Sequence, residues 1–151
     1  MPVPVAIADA AFAPIPATLE EFSDPSSAPA RELYSRVMEE VRRGEYATAR
    51  AGLARYVELY PDSPLTPKAE YWLGECDFQL GRYHAAIGSF DQALAHTPLP
   101  HKLAAAAFLR KGMSYARLGE THRSRHLFEL LVAQFPDTQE ALLARKSLLL
   151  P

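Results

Sequence analysis

The sequence predicts an all-α solenoid of three helix pairs closed by a capping helix, and two observations predict it. Gly44, Gly81 and Gly119 recur at intervals of 37 and 38 residues, and Pro61, Pro98 and Pro136 each follow their glycine by 17. The residues between them also keep register. An aromatic comes soon after the glycine in two of three cases (Tyr46, Tyr83, with Thr121 in the third), then a small residue (Ala49, Ala86, Ser124), then a large apolar one (Leu53, Phe90, Phe128). A unit recurring at this period buries its apolar face only by stacking on its neighbours. Such a stack points to a binding scaffold before it points to an enzyme.

Each glycine divides its repeat into two helices. Residues 31–43 carry Leu33, Val37 and Val41 at helical spacing, and Gly44 ends them as a left-handed C-cap. Residues 46–60 follow, with Ala49, Leu53, Tyr56 and Val57 on one face, and Pro61 stops them. The second pair is expected at about 64–80 and 83–96, and the third at about 100–118 and 121–135. A seventh helix, 139–150, has no partner and caps the open end. In Asp62-Ser63-Pro64, Ser63 reads as an N-cap with Pro64 at the first helical position, where its missing N–H costs nothing. Asp137-Thr138 marks the last helix in the same way, and Pro67 lies close enough to a helix start to be tolerated. The repeats therefore span about 31–63, 64–99 and 100–138.

Charge is unevenly spread. Residues 1–30 hold six of the 13 prolines, four acids (Asp9, Glu20, Glu21, Asp24) and no Lys or Arg, which reads as a Pro-rich, acidic, disordered leader or linker. Residues 31–151 carry all 16 basic residues against 14 acids, too slight an excess to suggest nucleic acid. No run of 18 apolar residues exists, so no membrane span is expected. The apolar start is broken by prolines and lacks a positive region, so it does not read as a signal peptide. Either the chain is cytoplasmic or it begins downstream of a removed export signal.

Leu73-Gly74, Ala86, Phe90, Ala93 and Pro98, and then Phe108, Gly112, Tyr115, Phe128 and Pro136, resemble the tetratricopeptide (TPR) pattern. The fold this implies is a right-handed solenoid of three TPR helix pairs plus a C-terminal capping helix. The period exceeds the usual ~34 residues by about one helical turn. In this, and in the stretch from Tyr60 to Leu94 with its YPDS…YWLGE segment, the chain resembles the Tol-Pal-associated family of YbgF, the cell division coordinator CpoB. The resemblance covers about residues 31–150. It implies a periplasmic, cell-envelope scaffold that binds a TolA-like protein and a peptidoglycan synthase, linking peptidoglycan synthesis to outer-membrane constriction during cell division. Such proteins trimerise through an N-terminal coiled coil, and no heptads precede residue 31, so a homo-oligomer would need that missing module. Two alternatives stand beside it: an outer-membrane-protein assembly lipoprotein with long repeats, and a cytoplasmic TPR chaperone or regulator.

The chain shows no Gly-rich phosphate loop, no nucleophile elbow and no acid pair backed by an apolar pocket, so no enzyme and no cofactor are expected. His122 and His126 have zinc-compatible spacing but only Arg123, Ser124 and Arg125 between them, and they read as an exposed pair with no metal. His96 and His101 read as solvated, and Cys76 as a buried, inert thiol. Asp77 stands where the family has a core-facing aromatic, so it is expected to pair with Arg50 or Arg55 or to turn outward. The candidate site is the concave groove lined, in TPR stacks, by the first helix of each pair. Its residues are Arg31, Tyr34, Met38, Val41 and Arg42, then Lys68, Tyr71, Glu75, Phe78 and Gln79, then Leu109, Met113, Ala116 and Arg117. Aromatics, Met and Arg suit a partner surface, although any one of them can equally pack on a neighbouring helix. Domains that clamp a peptide carboxylate use Lys and Asn where Tyr34, Met38 and Trp72 stand here, which argues against that function. Residues 102–125 carry six basic residues against Glu120 alone, and the leader or another acidic segment is expected to rest weakly on them.

Overall fold

Glycine at the end of each first helix sets the rhythm of the chain. The computed structural model describes residues 28–150, and these form seven helices with no strand among the described residues. They are α1 (Ala28–Arg42), α2 (Tyr46–Leu59), α3 (Thr66–Gln79), α4 (Tyr83–Leu94), α5 (His101–Arg117), α6 (Thr121–Gln134) and α7 (Gln139–Leu148). They group into two units, 28–96 and 97–150. The leader, and the docking expected of it, lies outside the described residues except at its end, where α1 begins at Ala28 instead of residue 31. Pro29 does not prevent this, because the first turn has no intrahelical partner for its missing N–H.

Gly44, Gly81 and Gly119 take φ of 75°, 76° and 77°, a conformation in which any Cβ is strained. Each completes a Schellman cap: the Gly44 N–H donates to the Val41 carbonyl at 2.9 Å and the Glu45 N–H to the Glu40 carbonyl at 2.9 Å. The same pair of bonds recurs at Gly81 and Arg82, and at Gly119 and Glu120. The caps reverse the chain so that each second helix returns along its first.

In the 28–96 unit α2 packs on α1, α3 on α2 and α4 on α3. Close approach within each pair rests on a missing side chain. A Cβ on Gly74 would lie 2.7 Å from the Phe90 ring, and one on Gly52 would lie 2.5 Å from Val37 Cγ2. The two contacts are mirror solutions to one problem. Val37 is in the register of Gly74, so the first pair carries its glycine on the opposite helix, at Gly52. Leu53 and Phe90, in register with each other, are fully buried. Burying such side chains contributes roughly 1.5–3 kcal/mol each.

Asp77 on α3 is 1% exposed and takes a charge-assisted bond from Arg50 Nε on α2 at 2.5 Å, one of the two partners anticipated for it. The turn before α3 differs from expectation. Ser63 does not cap that helix; α3 starts at Thr66, and the Ser63 hydroxyl accepts from the Leu65 N–H at 3.1 Å and bonds the Tyr56 hydroxyl at 2.6 Å. The Thr66 hydroxyl donates to the Tyr60 carbonyl at 2.5 Å. Pro64 therefore belongs to the turn, and Pro67 takes the early helical position. Ties to Tyr56 and Tyr60 outweigh the local capping preference of a Ser-Pro pair.

In the 97–150 unit α6 packs on α5 and α7 on α6. Gly112 repeats the interlock, with a Cβ there lying 2.6 Å from the Phe128 ring. Thr138 caps α7 as expected, its hydroxyl oxygen accepting from the Ala141 N–H at 3.0 Å. α7 buries Ala141, Leu143 and Ala144 and leaves Leu142 half exposed.

Candidate functional site

The first helices of the pairs, α1, α3 and α5, carry the candidate stripe. On α1, Tyr34, Met38 and Val41 are buried, whereas Arg31 and Arg42 are exposed and Arg42 pairs with Glu39 at 2.8 Å. The Tyr34 ring meets Tyr56 edge-on at 5.6 Å, and burial drives its phenol strongly upward from its ordinary pKa, with Tyr56 adding and Arg42 opposing. Among the described residues the Tyr34 hydroxyl and the Trp72 indole N–H are buried without a hydrogen-bond partner.

On α3 the stripe is buried too: Lys68 is 5% exposed, Tyr71 0%, Glu75 2% and Phe78 3%, with Gln79 exposed at the end. Tyr71 packs on Trp72 (5.3 Å) and Phe90 (5.7 Å), and Phe78 meets Tyr83 at 5.4 Å. Gln79 Nε2 donates to Glu75 Oε1 at 3.1 Å. Eleven of the fourteen residues of α3 are buried, so it lacks the solvent-facing side of an ordinary amphipathic helix. On α5, Leu109, Met113 and Ala116 are buried and Arg117 is half-buried. Arg110 beside them is 2% exposed and its Nη1 lies 3.9 Å from Met113 Sδ.

Three polar features could not be read from sequence spacing. His96, expected to be solvated, bonds Glu70 Oε2 at 2.7 Å across 26 residues. Burial raises the Glu70 carboxyl above its ordinary pKa, and the His96 bond and charge pull against that rise. His101 stacks edge-on against Phe135 at 4.6 Å, a contact that the Pro-rich loop before it did not announce. Arg110 is buried on a helix whose spacing alone gave no sign of it.

Cys76 is buried, and desolvation, with the charges of Glu75 and Asp77 adding, pushes its thiol up to about 12, so it is a poor nucleophile near neutral pH. Among the described residues no three His, Cys, Asp or Glu side chains converge as a metal site. No helix there is long and apolar enough to cross a membrane.

Two family profiles, each described as a tetratricopeptide repeat, match residues 34–100 and 106–138, together more than half of the chain. Among solved structures, the chain is similar to the second TPR domain of the human RPAP3 protein, an NMR structure in complex with the HSP70 peptide SGPTIEEVD. The TM-score is 0.67 at 16% identity, covering 81% of this chain and 96% of that one. No curated protein sequence matches the chain.

Proposed function

Because the chain belongs to the tetratricopeptide-repeat family, we propose that it is a non-catalytic scaffold holding peptide segments of partner proteins against the first helices of its pairs. The observation that carries this reading is the repeat itself, matched by tetratricopeptide profiles over residues 34–100 and 106–138. Lys68, Tyr71, Glu75 and Phe78 are buried and engaged within the chain, so they fix the position of α3, and Arg31, Arg42 and Gln79 are the stripe residues that stand exposed to a partner.

In its finer form the proposal is an envelope role. Through the YPDS…YWLGE segment the chain resembles Tol-Pal-associated coordinators, whose partners are a TolA-like protein and a peptidoglycan synthase, and whose place is the periplasm. The RPAP3 domain holds an HSP70 peptide. Tyr34, Met38 and Trp72 supply no cation for a peptide carboxylate here, so this chain is proposed to favour internal segments over chain ends.

The test is a titration of the full chain with a TolA-like domain, a peptidoglycan-synthase segment and SGPTIEEVD, beside thermal melts of each variant. Arg31→Ala combined with Arg42→Ala removes charge from the exposed part of the stripe and leaves its buried residues in place. Weaker partner binding at an unchanged melting temperature is the expected result. Unchanged affinity removes the stripe as the site, and preferential binding of SGPTIEEVD favours the chaperone reading.

A further inference from the structure

A second site lies away from the stripe, in the 97–150 unit. A cavity of about 330 Å³ opens between α5 and α6, lined by Lys111, Tyr115, His122, Arg123, His126 and Leu127. Its side chains come as two pairs one helical turn apart, Lys111 with Tyr115 on α5 and His122 with His126 on α6. Arg123 lies over the Tyr115 ring at 5.6 Å and pairs with Glu120 at 3.2 Å, so its guanidinium is already steered to this side of the helix. Tyr115 and the largely buried Leu127 supply an apolar wall.

The lining suits an anion and opposes a metal cation. Two permanent cations and two imidazoles converge there, and no carboxylate is among the lining residues. Zinc would have to bind beside Lys111 and Arg123 with two ligands where it needs three or four. Glu120, the N-cap of α6, pairs with Arg123 at the rim and is not itself among the lining residues.

We propose that this cleft binds a phosphomonoester carried on a small, partly apolar body. Lys and Arg ammonium and guanidinium groups and the imidazole N–H groups offer more donors than a carboxylate can accept, and a phosphate dianion has three oxygens to receive them. The cavity lies at the small end of the range for ligand sites, which suits a small ligand. Tyr115 and Leu127 select the apolar body, and Glu120 yields Arg123 to the incoming phosphate.

The experiment titrates the full chain with phenyl phosphate, glycerol 3-phosphate and benzoate, by calorimetry and by NMR of the histidine ring protons. Phenyl phosphate is expected to bind with a Kd below about 1 mM and to shift His122 and His126. It should exceed benzoate by at least about tenfold, or 1.4 kcal/mol. Lys111→Met with Arg123→Met should weaken it by a similar factor, while Tyr115→Leu should reduce it to the level of glycerol 3-phosphate. Should the double variant melt early, His122→Asn with His126→Gln provides the same reading from exposed positions. Benzoate binding as well as phenyl phosphate, equal affinity for the two phosphates in the wild-type chain, or affinity unchanged in both sets of variants would each overturn the proposal.

Discussion

Gly74→Ala adds a single methyl group, and the structure assigns it a sign opposite to that of the same change fourteen residues away. In an exposed helix interior, alanine is favoured over glycine by roughly 0.8–1 kcal/mol. At Gly88 on α4 nothing lies within 4 Å of the added Cβ, so Gly88→Ala should realise most of that gain. At Gly74 the Cβ would meet three Phe90 ring atoms at 2.7, 2.8 and 3.0 Å, well inside the contact range that begins near 3.4 Å. Phe90 has no exposed surface and rests against Tyr71 at 5.7 Å, so its ring has little room to retreat. Overpacking of this kind costs about 1–3 kcal/mol. After the propensity gain, the net effect is a loss of up to about 2 kcal/mol. For a unit of this size each kcal/mol shifts the melting temperature by roughly 4–8 °C. Urea and thermal unfolding followed by far-UV circular dichroism measure both variants. Phe90→Leu should then soften the Gly74→Ala penalty, giving a coupling of about 0.5–3 kcal/mol in a double-mutant cycle. If Gly74→Ala stabilises as much as Gly88→Ala and shows no coupling to Phe90, the interlock of α3 and α4 is wrong.

Two further outcomes follow from the buried polar groups. Arg50→Met leaves the Asp77 carboxylate in the core without its cation and should cost roughly 1–3 kcal/mol by urea unfolding, whereas Glu58→Ala on the exposed face of α2 should stay within about 0.5 kcal/mol of wild type. Glu70 has a folded-state pKa raised by burial, so its contribution to stability is fully present below the unfolded carboxyl pKa and is lost as pH rises through the raised value. Glu70→Gln should therefore melt progressively better relative to wild type as pH rises from the unfolded carboxyl pKa through the raised one, and a melting difference that narrows or reverses as pH rises would contradict that sign.

Much of the chain was legible without its structure because its signals are local. A left-handed φ and a Schellman pair need only a glycine, the four residues before it and the one after it, so the turns at Gly44, Gly81 and Gly119 follow from the chain alone. The register of Leu53 and Phe90 with Phe128 also follows, since a repeat that buries one side must place the same side inward each time. The apolar burial of Cys76 and the thread of Asp77 to Arg50 were within reach for the same reason: a charge or thiol on a core-facing register has few places to go.

Only tertiary packing decided the rest. Whether Tyr71 and Phe78 lie open or packed depends on Trp72, Phe90 and Tyr83, which come close only when the helices stack. Ser63 gave up its capping role because Tyr56 offered its hydroxyl another partner in space. His96 found Glu70 through the return of α4 along α3, a proximity that no spacing rule encodes. The cleft of Lys111, Tyr115, His122 and His126 likewise needs two helices side by side. Periodicity tells each helix which side turns inward, whereas the separation and rotation of two packed helices determine which polar groups meet there.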